Sequence, residues 1–181
     1  MSFGKGFGAA LGIYLGANIG LGILYYLVGL GLTFDQILGA DALTGILSLL
    51  VGPSVSPPTV SLLSPLVSLI LGGELINTLL LLVWLFVPGL LAALIGGKLA
   101  EGAGAGFGAM FLTILISAII YMVVYNFIAD TSILVAALQA WAPGITESDT
   151  IVLFTLPLLL GLINGIFYGG LAAVVGGRES F

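Results

Sequence analysis

Eight carboxylates, three cations and a few asparagines are the side chains in this sequence most equipped for chemistry. There is no Cys and no His. That excludes disulfides, thiolate nucleophiles, zinc sites, haem ligation by His and imidazole acid–base catalysis together. Carboxylates and carbonyls can still hold a hard cation, but cofactor chemistry has little to attach to. The expectation is no enzyme, no cofactor and no metal site. The formal charge is -5 and the pI about 4.1. With no basic patch, nucleic acid is not an expected partner. The acidic surplus with so few lysines is consistent with a prokaryotic, high-salt habitat.

Placement matters more than number. Every charge lies in a polar connection or at the end of an apolar run, with Asp35, Asp41, Glu74, Asp130, Glu147 and Asp149 on the connections. Ion-coupled transporters and pumps keep ionisable groups inside the bilayer, because such groups are costly there and are retained only for use. Inside the apolar runs the polar side chains to weigh instead are amides, Asn18, Asn77 and Asn164. Their bland role is an interhelical hydrogen bond of roughly 0.5–2 kcal/mol. A contact to substrate or lipid is the sharper one, and Asn18 and Asn164 are the candidates for it. The remaining irregular feature is Gly52-Pro53-Ser54-Val55-Ser56-Pro57-Pro58, which no helix survives. Pro53, Ser54, Ser56 and Pro57 are candidates for a re-entrant element, since broken backbone at membrane depth must be buried in protein or line a cavity. An outer loop between two interfacial helices is the plain alternative.

The elements that must carry these residues are apolar helices. Of 181 residues 60% are hydrophobic and 6% charged, and the mean hydropathy is +1.32. A soluble domain carries about a quarter charged residues, so most of this surface must face lipid. The sequence predicts an all-α integral membrane protein in a single membrane domain, residues 1–181. Four spans are expected at 7–31, 75–97, 105–128 and 151–175, the first retained rather than cleaved as a signal. A short surface helix is expected over 131–142. Residues 42–73 read as a re-entrant or interfacial helical hairpin, against a competing reading of 55–73 as a tilted fifth span. With four spans, Lys5, Lys98 and Arg178 share one side, opposite Asp35, Asp41, Glu74, Asp130, Glu147 and Asp149. The positive-inside rule then puts both termini in the cytoplasm of a multi-pass cell-membrane protein.

Glycine is the dominant motif. Gly4, Gly8, Gly12, Gly16 and Gly20 recur every fourth residue, as do Gly161, Gly165, Gly169, Ala173 and Gly177. On helices these make smooth faces, which let another backbone approach closely in lipid. The packing and assembly candidates are Gly8, Gly12, Gly16, Gly20, Gly89, Gly97, Gly161, Gly165, Gly169 and Gly177. Their faces fit packing within the chain, packing between subunits, or a glycine-lined pore. Gly4 to Gly22 resembles the glycine-rich first helix of rotor-ring proteolipids, whose duplicated members have four spans. That resemblance covers one helix, and the mid-membrane carboxylate those proteins need is missing from all four spans, so the chain is not assigned to them.

The ladders also suggest duplication. Gly89-Leu90-Leu91-Ala92-Ala93-Leu94-Ile95-Gly96-Gly97-Lys98 matches Gly169 to Arg178 at six of ten positions, and Gly4 to Ala9 matches Gly104 to Ala109 at five of six. The expected architecture is two parallel span–outer segment–span repeats, about 4–98 and 104–178. The function expected is a non-catalytic polytopic membrane subunit, surrounded by membrane lipids. It would assemble through its Gly-rich faces as a homo-oligomer or with other membrane subunits. The alternative is a small channel or facilitator with a re-entrant element around 52–58.

Overall fold

A computed structural model describes residues 2–38, 42–56, 63, 65–67, 69–127, 135 and 144–177. Among these residues every regular element is helical. Helix α1 runs Ser2–Leu24 and continues into a π-helical turn, Tyr25–Gly29. Two short helices follow, α2 (Phe34–Leu38) and α3 (Ala42–Val51), and α3 gives way to a 3-10 turn, Gly52–Val55. The long helices α4 (Leu75–Ala100), α5 (Ala103–Phe127) and α6 (Thr150–Gly177) complete the chain. Helix α1 with its π turn, α4, α5 and α6 are each long and apolar enough to cross a membrane. The protein is therefore a multi-pass, all-helical chain, and the four long helices fall where the four spans are expected. The expected helix at 131–142 lies, Val135 apart, outside the described residues, as do Pro57, Asp41, Asp130, Arg178 and Glu179.

Helix is forced on these segments because lipid cannot satisfy a backbone N–H or C=O, so each span must bond internally. A 26-residue helix such as α4 is about 39 Å long at 1.5 Å per residue, enough for a hydrocarbon core of about 30 Å. Pro88 and Pro157 both sit inside helices and are fully buried. There neighbouring helices surround the backbone that each proline leaves unbonded. Helix α3 ends for the opposite reason. Pro53 has no N–H to offer and drives Gly52 away from α geometry, and the turn tightens to 3-10.

Two polar starts are capped locally. Before α2, the Thr33 amide donates to Gln36 Oε1 (2.8 Å) while the Gln36 amide reaches Thr33 Oγ1 (3.4 Å). Before α6, the amide and hydroxyl of Thr146 donate to Asp149 Oδ2 at 2.7 and 3.0 Å. The first is a reciprocal box of the kind that satisfies the free N–H groups of a helix start; in the second Thr146 supplies both donors, while the Asp149 amide donates to the Thr146 carbonyl at 3.0 Å. The Thr146 amide first, and its hydroxyl second, hold the Asp149 carboxyl below its ordinary value of 3.8. A depressed folded value means the bond is fully present above the unfolded pKa and is lost as pH falls through the folded one. On acidification from about pH 6 to about pH 3, the Thr146 amide proton is expected to shift in NMR spectra, and Asp149→Asn to abolish that response. An unchanged titration in the variant would remove the bond from the account.

The spans pair as α1 with α4 and α5 with α6, and α4 and α5 each also pack against all three other spans. Gly6 meets Ala100 and Gly22 meets Trp84, so α1 and α4 run antiparallel; Gly161 meets Ala118 and Gly169 meets Phe107, so α5 and α6 do too. Lys5 and Lys98 consequently share one end of the bundle, with Asp35, Glu74, Glu147 and Asp149 at the other. Helix α3 and its turn lodge against α1, α5 and α6. Two apolar cores result. One, toward the Lys5 end, comprises Ala10, Tyr14, Ala92, Ala93, Met110, Ile114, Tyr168 and Ala172. The other, toward the acidic end, includes Val51, Val55, Ala118, Tyr121, Val124, Leu153 and Leu160.

The two pairs do not share one register. Carrying the Gly6–Gly96 contact over by the sequence offsets of the repeat would bring Gly106 onto Gly176, yet Gly106 lies against Ala172.

Candidate functional site

Two features stand out once the helices are in place: a polar layer inside the bundle and a glycine face outside it. The layer is built from the buried side chains Asn18, Ser54, Thr113, Ser117 and Asn164, each at 0% exposure. Its level follows from helix geometry. Gly106 of α5 touches Ala172 of α6. From there Asn164 lies eight residues, about 12 Å, along α6, and Ser117 eleven residues, about 16 Å, along α5. Both are near the middle of their spans.

The asparagines hold the 42–56 segment. Asn18 Nδ2 donates to the Leu50 carbonyl at 2.7 Å, near the end of α3. Asn164 Nδ2 donates to the carbonyls of Ser54 (2.6 Å) and Ser56 (3.0 Å). Ser54 Oγ closes the turn on Val51 O at 2.6 Å. A helix that stops early leaves carbonyls without partners, and two amides from the spans supply the missing donors. Pro53 and Ser54 are both buried by this arrangement, and Ser56 partly so. The structure thus brings Asn18, Asn164, Pro53, Ser54 and Ser56 together. It does not bring in Asn77, whose Oδ1 lies by Gly29 at the π turn.

The glycine candidates divide. A Cβ at Gly89 would strike the Tyr168 ring (2.5 Å), and one at Gly97 the Ala172 carbonyl oxygen (2.5 Å). Gly161 accommodates Ala118, Gly165 the Phe111 ring, Gly169 the Phe107 ring, and Gly177 is 3.4 Å from Ala103. These are holes filled by neighbouring helices of the same chain. Gly8, Gly12, Gly16 and Gly20, with Gly4, have nothing within 4 Å of a built Cβ and form an open stripe along α1. The face of α1 that does pack inward is Gly6, Ala10, Tyr14, Asn18 and Gly22, offset from the stripe by two residues. Two residues on a helix are about 200° apart. Asn18 therefore points away from the ladder that surrounds it in sequence.

Several residues that matter were not singled out from sequence. Gly6, Gly96, Gly106 and Gly176 make closer backbone contacts than most of the candidates; a Cβ at Gly6 would lie 2.6 Å from that of Ala100, and one at Gly96 2.6 Å from that of Ala10. Thr113 and Ser117 contribute hydroxyls to the layer, each bonded to the carbonyl four residues back at 2.9 and 2.8 Å. Trp84 Nε1 donates to the Asn18 carbonyl at 3.1 Å, while its ring stacks on Tyr25 with centroids 5.5 Å apart. The available signal was the spacing of Thr113 and Ser117 by one turn inside an apolar run. Among the described residues no group of three or more carboxylates comes together.

Comparison with known proteins yields no assignment: no family model matches the chain, and no curated protein or solved structure is significantly similar to it.

Proposed function

We propose that the protein is a non-catalytic membrane subunit that assembles with copies of itself through the open glycine stripe of α1. One contrast carries this reading. Elsewhere the outward positions of the spans bear large apolar side chains: Leu91, Leu94, Ile95 and Leu99 on α4, Leu162, Ile163, Ile166 and Phe167 on α6. On α1 the outward positions between Phe3 and Leu24 are Gly4, Lys5, Gly8, Gly12, Gly16 and Gly20. Large side chains suit lipid, whereas a smooth backbone strip gains little from lipid and much from another backbone. The comparable ladder on α6 is already used inside the chain, which leaves the α1 stripe for a neighbour. On this reading the chain comprises two span–outer segment–span units, with the Lys5 end cytoplasmic by the positive-inside rule and lipid covering the remaining faces.

The test is association in lipid bilayers, measured by single-molecule photobleaching. Gly12→Leu and Gly16→Leu are expected to convert oligomers to monomers while helicity and thermal unfolding stay as in the wild type. Wild-type association in both variants would defeat the proposal.

A second reading is favoured by the hydrogen bonds of Asn164. They tie the Gly52–Ser56 break to the middle of α6, the depth at which a re-entrant element would serve a small channel or facilitator. Changing Ser54 would then alter solute flux without altering association.

A further inference from the structure

The polar layer has a donor–acceptor imbalance that self-assembly does not require. Six of its donor groups are spent on backbone carbonyls: Asn18 Nδ2 on Leu50, Asn164 Nδ2 on Ser54 and Ser56, Ser54 Oγ on Val51, Thr113 Oγ1 on Ala109, Ser117 Oγ on Thr113, and Trp84 Nε1 on Asn18; the buried Tyr14 hydroxyl lies beside the Asn18 side chain. The amide oxygens Asn18 Oδ1 and Asn164 Oδ1 are buried and accept nothing. Neither amide can be turned over to cure this. A flip of Asn164 would set its oxygen against the carbonyl oxygens of Ser54 and Ser56, and a flip of Asn18 would do the same at Leu50.

A buried carbonyl without a donor costs about 1–3 kcal/mol, and buried polar atoms in folded proteins nearly always find a protein or water partner. The layer offers acceptors, so its ligand must donate. Anions are rejected. A bare alkali cation needs several oxygens at once, and here two amide oxygens are free with no carboxylate in any span. Water satisfies the geometry. It can give one hydrogen to an amide oxygen and the other to a hydroxyl or backbone oxygen of the layer, within the two to four polar partners that a buried water takes.

We infer that Asn18 Oδ1 and Asn164 Oδ1 are water-binding groups, and that the mid-bundle layer around the Gly52–Ser56 turn is hydrated. The inference does not depend on the α1 stripe, and it holds for a monomer or an oligomer.

Water-edited solid-state NMR of the wild-type protein in liposomes tests it. Polarisation from water is expected to reach the side-chain amides of Asn18 and Asn164 several-fold faster than the methyls of Ala92 and Ala93, which lie in the apolar core toward the Lys5 end. Transfer no faster than to those alanines, at every mixing time, would overturn the inference. So would a shift of the two amide carbon signals on exchanging potassium for ammonium or sodium, since that would put a cation at the oxygens. Asn18→Leu is expected to slow transfer to the Thr113 and Ser117 side chains if it folds; the wild-type measurement stands without it.

Discussion

Replacing Gly97 by leucine is expected to prevent the bundle from forming, the largest effect of any single substitution described for this chain. A Cβ at that position would lie 2.5 Å from the Ala172 oxygen, 2.8 Å from its Cα and 3.0 Å from its carbonyl carbon. All three are backbone atoms of α6, so no side chain can swing aside. The same crossing leaves no slack elsewhere. A Cβ at Gly176 would meet the carbonyl oxygens of Gly97 (2.8 Å) and Gly102 (2.9 Å), and one at Gly106 the Ala172 oxygen (2.6 Å). Helices α4, α5 and α6 converge here as bare backbones, and the Glu101–Gly102 turn joining α4 to α5 has positive φ at both residues (52° and 148°). Overpacking by a single methyl costs about 1–3 kcal/mol. Leucine adds three further carbons against a total stability of roughly 5–15 kcal/mol. The readouts are the yield of monodisperse Gly97→Leu protein and the thermal unfolding of Gly97→Ala. Gly12→Leu is the control, because it adds the same atoms where nothing lies within 4 Å. Wild-type unfolding of Gly97→Leu would refute the backbone crossing.

Asn164→Leu is expected to be the second most damaging change. Leucine matches the shape but withdraws the donor from the Ser54 and Ser56 carbonyls. At about 1–3 kcal/mol for each carbonyl that loses this donor, the loss is roughly 2–6 kcal/mol. The local consequence is more diagnostic than the total. With its link to α6 cut, the turn is held by Asn18 on Leu50 and by Ser54 on Val51. The chain contains no other cysteine, so a single Cys at Ser54 reports on the site. In the wild-type background that thiol is expected to resist a membrane-impermeant reagent, and with Asn164→Leu to react faster. Equal reactivity in the two backgrounds would mean that Asn164 does not hold the turn.

How much of this was legible follows from particular residues. Composition alone required a membrane protein, since eleven charged residues cannot cover a soluble domain of this length. The four spans were legible because continuous apolar runs bounded by Lys98, Glu101, Glu74 or Asp149 admit only helix in lipid. The end of α3 and the turn at Gly52–Val55 were legible from Pro53. The capping box at Thr33–Gln36 and the Thr146–Asp149 turn before α6 were readable in principle from the spacing of Thr and its partner three residues on.

What could not be read was which side of each helix faces inward. In a soluble protein the polar stripe of a helix marks its outer face, but these spans are apolar all round, so no such stripe exists. Helix α1 shows the consequence. Its two stripes, Gly4 to Gly20 and Gly6 to Gly22, are both written in small residues. Only packing distinguishes them. The inner stripe carries Tyr14 and Asn18, which fit because Ala92, Ala93 and Gly96 on α4 leave room and because Leu50, thirty-two residues away, presents a carbonyl to Asn18. The register is likewise beyond the sequence match, as the different contacts of Gly6 and Gly106 show. Apolar runs between charged ends dictated that helices long enough to cross a membrane would form and where each would stop, because lipid demands local hydrogen bonding. Which glycines became holes for Tyr168, Phe111 and Phe107, and which stayed open, was decided by tertiary contact alone, because a residue without a side chain takes its role from whatever approaches it.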